Sequence, residues 1–219
     1  MNEITFEEWL KGRFDKPEGP EPWYYDSQSD PPEPPHEVSL KYLYKLFSES
    51  GELLKNYSDR QVNDGLHYLF SPSNSNEIYA LTDKMLPLEE RLKAVESIHQ
   101  LYTDCFFARC SRKLTHLDKK LDRSVNGICY MLWDIAPIPA TGGKTENPEL
   151  DSACLAVMEK ALRLDHEACR ESALHGLGHA KWYYQAEVER IIDAFLAAAP
   201  GISKELRRYA CAARTGMIQ

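Results

Sequence analysis

Long apolar runs are missing from this chain. No stretch of its 219 residues approaches the ~18–20 consecutive apolar residues that a membrane-spanning helix requires. A basic start followed by an apolar core is missing too: "MNEITFEEWL" is acidic where a secretory signal would be positive. The expected location is therefore the cytoplasm. Close cysteine pairs are also lacking. The six cysteines, at 105, 110, 129, 154, 169 and 211, form no C-x-x-C, which argues against both a zinc-binding set and a disulfide framework. Cys105, Cys129, Cys154 and Cys169 fall instead among apolar residues of predicted helices, where a free thiol behaves as a small buried hydrophobe. Sustained alternation of β-branched and aromatic residues is nearly absent, so strands are not expected. No G-x-S-x-G, H-E-x-x-H, kinase set or phosphate-binding glycine loop occurs. "TGGK" at 141–144 lacks the first-glycine spacing and the Ser/Thr of a P-loop, and reads as a turn. No catalytic residue, metal or cofactor is expected on these grounds.

What is present begins with charge. The net charge is −8, and residues 15–37, "DKPEGPEPWYYDSQSDPPEPPHE", hold seven acids against one lysine, so this stretch alone carries −6. The same stretch holds seven of the thirteen prolines. Overall acidity argues against direct nucleic-acid binding, which needs a basic field. The opposite balance occurs in "RCSRKLTHLDKKLDR" at 109–123, with six basic and two acidic residues. That segment reads as a solvated loop and helix start, or as a contact for an acidic protein.

Helical periodicity fills the rest. Thr5 and Glu8 have capping-box spacing. Leu40, Leu43, Tyr44 and Phe47 recur at the helical interval, and Ser58 caps a helix with Val62, Leu66 and Leu69 on one face. The longest helix is predicted from near Pro87 towards Cys110, followed by one through Leu121, Val125, Ile128, Leu132 and Ile135, stopped by Pro137. Asn147-Pro148 opens another, Asp165 is predicted to cap the next, and a further helix ends at Pro200-Gly201. Ser203 caps the last. The expected organisation is an N-terminal helix and acidic proline-rich arm over 1–37, then an all-α domain over 38–219. A weak internal similarity, "DRQVNDGLHYLF" at 59 and "DRSVNGICYMLW" at 122, favours a helical repeat.

Within that pattern, "EACRESALHGLGHA" resembles the second helix of a HEAT-type repeat, with small residues and the pattern Ala173-Leu174-x-x-Leu177-Gly178. The likeness spans about residues 148–214. It implies antiparallel helix pairs stacked as a short α-solenoid or superhelix, a scaffold that mainly binds proteins along a curved surface. His166-Glu167 also resembles the His-Glu pairs of deoxyhypusine hydroxylase, a HEAT-like iron enzyme. That family needs several facing pairs, and the other pair here, His36-Glu37, lies in the proline-rich segment.

Placed on a helix, Cys169, Ala173, Leu177 and Ala180 form one stripe, while Glu171, His175, His179 and Trp182 form another on roughly the opposite side. His175 and His179 stand one turn apart and could chelate a metal, but nothing nearby in sequence supplies a third ligand. The second stripe reads either as an exposed polar face with ordinary i,i+4 contacts or as a partner-contact face centred on Trp and His. In "PWYYD", Trp23 is expected to pin the arm to the core, leaving Asp26, Asp30 and Glu33 as contact candidates. Single-domain acidic helical proteins of this size resemble the immunity proteins paired with interbacterial toxins, including those of type VI secretion. The resulting expectation is a non-catalytic protein-binding module whose partner is a cognate toxin, for example a basic nuclease effector. The alternatives are a metal-dependent HEAT-like enzyme using His166, His175 and His179, and a general scaffold or adaptor.

Overall fold

Thr5 and Glu8 do close a capping box: the Glu8 amide donates to Thr5 Oγ1 at 3.3 Å and the Thr5 amide donates to Glu8 Oε2 at 2.9 Å. This cap starts α1 (Phe6–Phe14). The computed structural model describes residues 4–26, 28, 30–139 and 147–218, and among these every regular element is helical. The predicted turn at 141–144 lies outside the described residues. After α1 come α2 (His36–Ser48), the single turn α3 (Ser50–Leu53) and α4 (Asp59–Phe70), which begins at a second capping box, Ser58 with Gln61. Helix α5 (Leu88–Gln100) follows Pro87 and continues through a π-helical stretch, Leu101–Phe106, into α6 (Phe107–Arg109).

Helix α7 (Val125–Ile135) starts later than the periodicity predicts, because Ser124 accepts from the Asn126 amide and residues Lys119–Leu121 form a separate 3₁₀ turn. Helix α8 (Pro148–Leu162) has its proline in the first turn, where the missing N–H costs nothing. Helices α9 (Glu167–Ala180), α10 (Gln185–Ala198) and α11 (Lys204–Thr215) complete the chain, with Ser203 capping α11 as expected. Asp165 does not cap α9. The N-cap is His166, without a side-chain cap bond, and the Asp165 carboxylate instead accepts from Arg170 at 3.2 Å.

The helices pack in two rows. In one, α1 rests on α4, α4 on α7, α7 on α9 and α9 on α11; in the other, α2 packs on α5 and α5 on α8. The contact of α8 with α9 joins the rows, and α10 packs on α8, α9 and α11. The two similar segments, at 59 and 122, thus belong to neighbours in one row, and the Ile128 amide donates to Asn63 Oδ1 at 3.0 Å across them. One continuous apolar core runs between the rows, from Phe6 and Trp9 to Ala210 and Ala213.

The proline-rich arm is held against this body. Arg13 is wholly buried, pairs with buried Glu77 at 2.6 Å and donates to the Pro32 carbonyl at 2.9 Å. Glu77 also accepts from Trp9 Nε1 at 2.5 Å. Trp23 packs against the core as expected, its ring 4.7 Å from that of Tyr68. No helix among the described residues is long and apolar enough to cross a membrane.

Candidate functional site

Two glycines set the geometry of "HGLGH". A Cβ on Gly176 would sit 2.7 Å from the Cβ and Cγ of Trp133, and one on Gly178 would sit 2.7 Å from Ile218 Cδ1. Their absence lets α9 press against α7 on one side and the C-terminal residues on the other. Asp134, next to Trp133 on α7, is thereby brought to the histidines of α9. His179 Nε2 lies 3.0 Å from Asp134 Oδ1 and 3.2 Å from His175 Nε2. One ligand atom from each of the three residues lies within 4.8 Å of the other two. His175 is 3% exposed, while the side chains of His179 and Asp134 are 36% and 34% exposed. The cluster therefore has a closed back and an open front.

Tyrosines form the back. His175 Nδ1 is 2.6 Å from the Tyr209 hydroxyl of α11, which is 3.1 Å from the Tyr130 hydroxyl of α7. The Tyr130 ring lies 4.3 Å from the His175 imidazole. Burial, and secondarily the adjacent His179, pushes His175 down to about 4, so its imidazole is neutral near pH 7. The hydrogen bond from His179 holds the Asp134 carboxyl below its usual range.

Glu171 lies one turn before His175 on the same stripe, yet it is 0% exposed. Its carboxylate accepts from the Thr115 amide at 2.6 Å, the His116 amide at 3.2 Å and His116 Nδ1. The His116 ring in turn stacks on Tyr209 at 4.6 Å. The expectation of an exposed face is therefore corrected for Glu171 and His175. The 3₁₀ turn Thr115–Leu117 and helix α11 cover them, and neither element is adjacent to them in sequence. His179 remains half-exposed and Trp182 is 76% exposed.

His166 does not join this cluster. It lies nine residues before His175, about 13 Å along a helix axis, is buried, and has its Nε2 3.1 Å from the Cys110 carbonyl. Cys169 lies beside both His166 and Cys129, and Cys129 beside Cys110, so three buried thiols gather near this imidazole. The sequence reading of separate buried cysteines misses this proximity, because α7 and α9 bring the thiols together.

The arm forms a second concave feature. Glu21, Tyr24 and Tyr25 of the arm, Asp64 of α4, and Asp122 with Arg123 line a recess of about 380 Å³. Tyr25 is 69% exposed at its edge. Burial pushes the Asp64 carboxyl up, only partly offset by its bond from Asn63 and by Arg60 at 3.6 Å. Of the predicted arm contacts, Asp26 is exposed and accepts from the Gln28 amide at 3.1 Å, and Asp30 is exposed. Glu33 is also exposed but fastens the arm, accepting from the Asn76 amide at 3.0 Å and its side-chain amide at 3.3 Å. Glu21, Asp64 and Asp122 were not among the predicted site residues, since a recess between arm, α4 and the start of α7 leaves no local pattern. Comparison with protein-family models, curated proteins and solved structures yields no match.

Proposed function

We propose that this chain is a non-catalytic, HEAT-like protein-binding module, and specifically an immunity protein that neutralises a cognate bacterial toxin in the cytoplasm. The observation that carries the reading is the acidic recess beneath the arm. Three acidic residues, Glu21, Asp64 and Asp122, line it together with His67 and a single arginine, Arg123, with an exposed tyrosine at the mouth. Asp64 is poorly compensated by its neighbours, so an arriving guanidinium or ammonium group would improve its environment. Such a site suits a basic protein. Nuclease toxins, such as effectors of type VI secretion, present basic substrate grooves, and an acidic inhibitor with a net charge of −8 is drawn to them by long-range attraction. The two-row stacking of α4, α7, α9 and α11 against α2, α5 and α8 supports a short solenoid, which presents extended surface to one partner.

The test is affinity capture of untagged partners from the native host on the full chain. It is run beside a Glu21→Lys/Asp122→Lys variant that folds normally by circular dichroism. The immunity reading expects one stoichiometric basic protein on the wild type and its loss on the variant. Capture of the same proteins by both chains would point to general scaffolding and overturn the recess as the binding site.

A further inference from the structure

The half-open histidine cluster is unused by the partner-binding reading. We propose that Asp134, His175 and His179 bind a divalent transition-metal ion, zinc being the ion their chemistry fits. Two imidazoles and one carboxylate form a ligand set that suits zinc, with room for a further ligand. Two of the three ligand spacings agree with this assignment, and the third, His175 to Asp134, is within 4.8 Å. Tetrahedral ligands at ~2.0–2.1 Å from one ion stand roughly 3.3 Å apart. The His175–His179 nitrogen separation is 3.2 Å and the His179–Asp134 separation is 3.0 Å. His175 and His179 come from successive turns of α9, and Asp134 comes from the facing helix α7.

The surroundings also match a metal centre. With Nε2 on the ion, His175 Nδ1 carries the proton and donates to the Tyr209 hydroxyl, 2.6 Å away. An outer partner of this kind fixes the tautomer and aims the ring. Tyr209 is itself held between the Tyr130 hydroxyl and the stacked His116 ring, and Glu171 anchors His116 from the interior. The proton that His179 Nε2 shares with Asp134 is displaced when the ion enters, as metal binding at histidine requires. Exposure of His179 and Asp134 by about a third of each side chain leaves one face of the ion to water. The ion clasps α7 to α9.

Equilibrium dialysis of the full chain against zinc, with elemental analysis, reads stoichiometry, and cobalt(II) substitution reads coordination by visible absorption. One ion per chain and a low-symmetry cobalt spectrum are expected. His179→Gln, a change at a half-exposed position, should abolish stoichiometric binding, and Asp134→Asn should weaken it about 100-fold. Tyr209→Phe keeps all three ligands and should weaken it roughly 10-fold through the lost outer bond. Cys169→Ser should leave zinc affinity unchanged, because that thiol belongs to the separate buried cluster. Failure of the wild type to retain zinc would overturn the proposal. So would retention that survives His179→Gln but is lost in Cys169→Ser.

Discussion

Gly176 shows at the scale of one residue how the cluster is made. A methyl group there would meet Trp133 at 2.7 Å, and neither helix has slack to receive it. Gly176→Ala should cost ~1–3 kcal/mol in chemical denaturation, whereas Gly201→Ala, whose Cβ meets nothing within 4 Å, should be nearly silent. His67 gives a pH signature independent of the metal question. Burial alone pushes its imidazole from the usual 6.5 down to about 4. Between those values the unfolded chain binds a proton that the folded chain does not, so stability is full above pH 6.5 and falls as pH drops. The loss at pH 5 should be ~1–2 kcal/mol in chemical denaturation, and His67→Gln should flatten the slope of stability against pH over that interval by removing it. A slope unchanged by the substitution would contradict the assignment. The His175–His179 spacing was legible from sequence because i,i+4 proximity belongs to any helix. Asp134 was not, because its position depends on the close approach at Gly176. Glu171 misled for a related reason: an acid on a polar stripe reads as exposed until a distant 3₁₀ turn covers it.

Helices are tied to one another here by buried polar chains as well as by apolar contact. Trp133 Nε1 of α7 donates to the Tyr102 hydroxyl at 2.8 Å, and Tyr102 and Ser172 hydroxyls are 2.6 Å apart. Ser172 uses its own proton on the Cys129 carbonyl, so Tyr102 is the donor to Ser172. This chain links the π-helical stretch to α7 and α9. Tyr102→Phe leaves the Trp133 N–H without its acceptor in a dry interior and should cost ~1–3 kcal/mol in urea denaturation. The arm is fixed in the same manner by Arg13 and Glu77, both wholly buried side chains. Arg13→Met would strand the Glu77 carboxylate and should cost ~3–5 kcal/mol, with Arg13→Met/Glu77→Gln, which removes the stranded charge and keeps an acceptor for Trp9 Nε1, recovering much of it. Equal losses in the single and double variants would contradict this coupling. Helix starts were legible where a local chemical signal marks them: Thr5, Ser58, Pro148 and Ser203. Asp165 failed because its carboxylate pairs with Arg170, and the π-helical stretch has no local signal because it accompanies buried contacts to α7 and α9.

Across the whole molecule, sequence periodicity was sufficient for an all-α chain, since each apolar stripe reports one buried face. It was insufficient for the order in which those faces meet, although the similarity between the segments at 59 and 122 did mark two helices of one row, α4 and α7. Charge behaves likewise. The acidic character of 15–37 is a property of composition, whereas the recess gathers Glu21 from the arm, Asp64 from α4 and Asp122 from the start of α7. Binding of a basic partner should weaken with rising salt, and Glu21→Lys/Asp122→Lys should reduce both the affinity and that salt dependence. By comparison, charge reversal at Asp26 and Asp30 should lower the association rate more than it raises the dissociation rate, as expected for rim charges. The most direct measurement of the central claim is growth of cells producing the captured partner, alone or with this chain. The account predicts arrest with the partner alone, growth when the wild-type chain is co-produced, and renewed arrest when the Glu21→Lys/Asp122→Lys chain is made at the same level. A partner that does not impair growth, or protection undiminished by the recess substitutions, would contradict it.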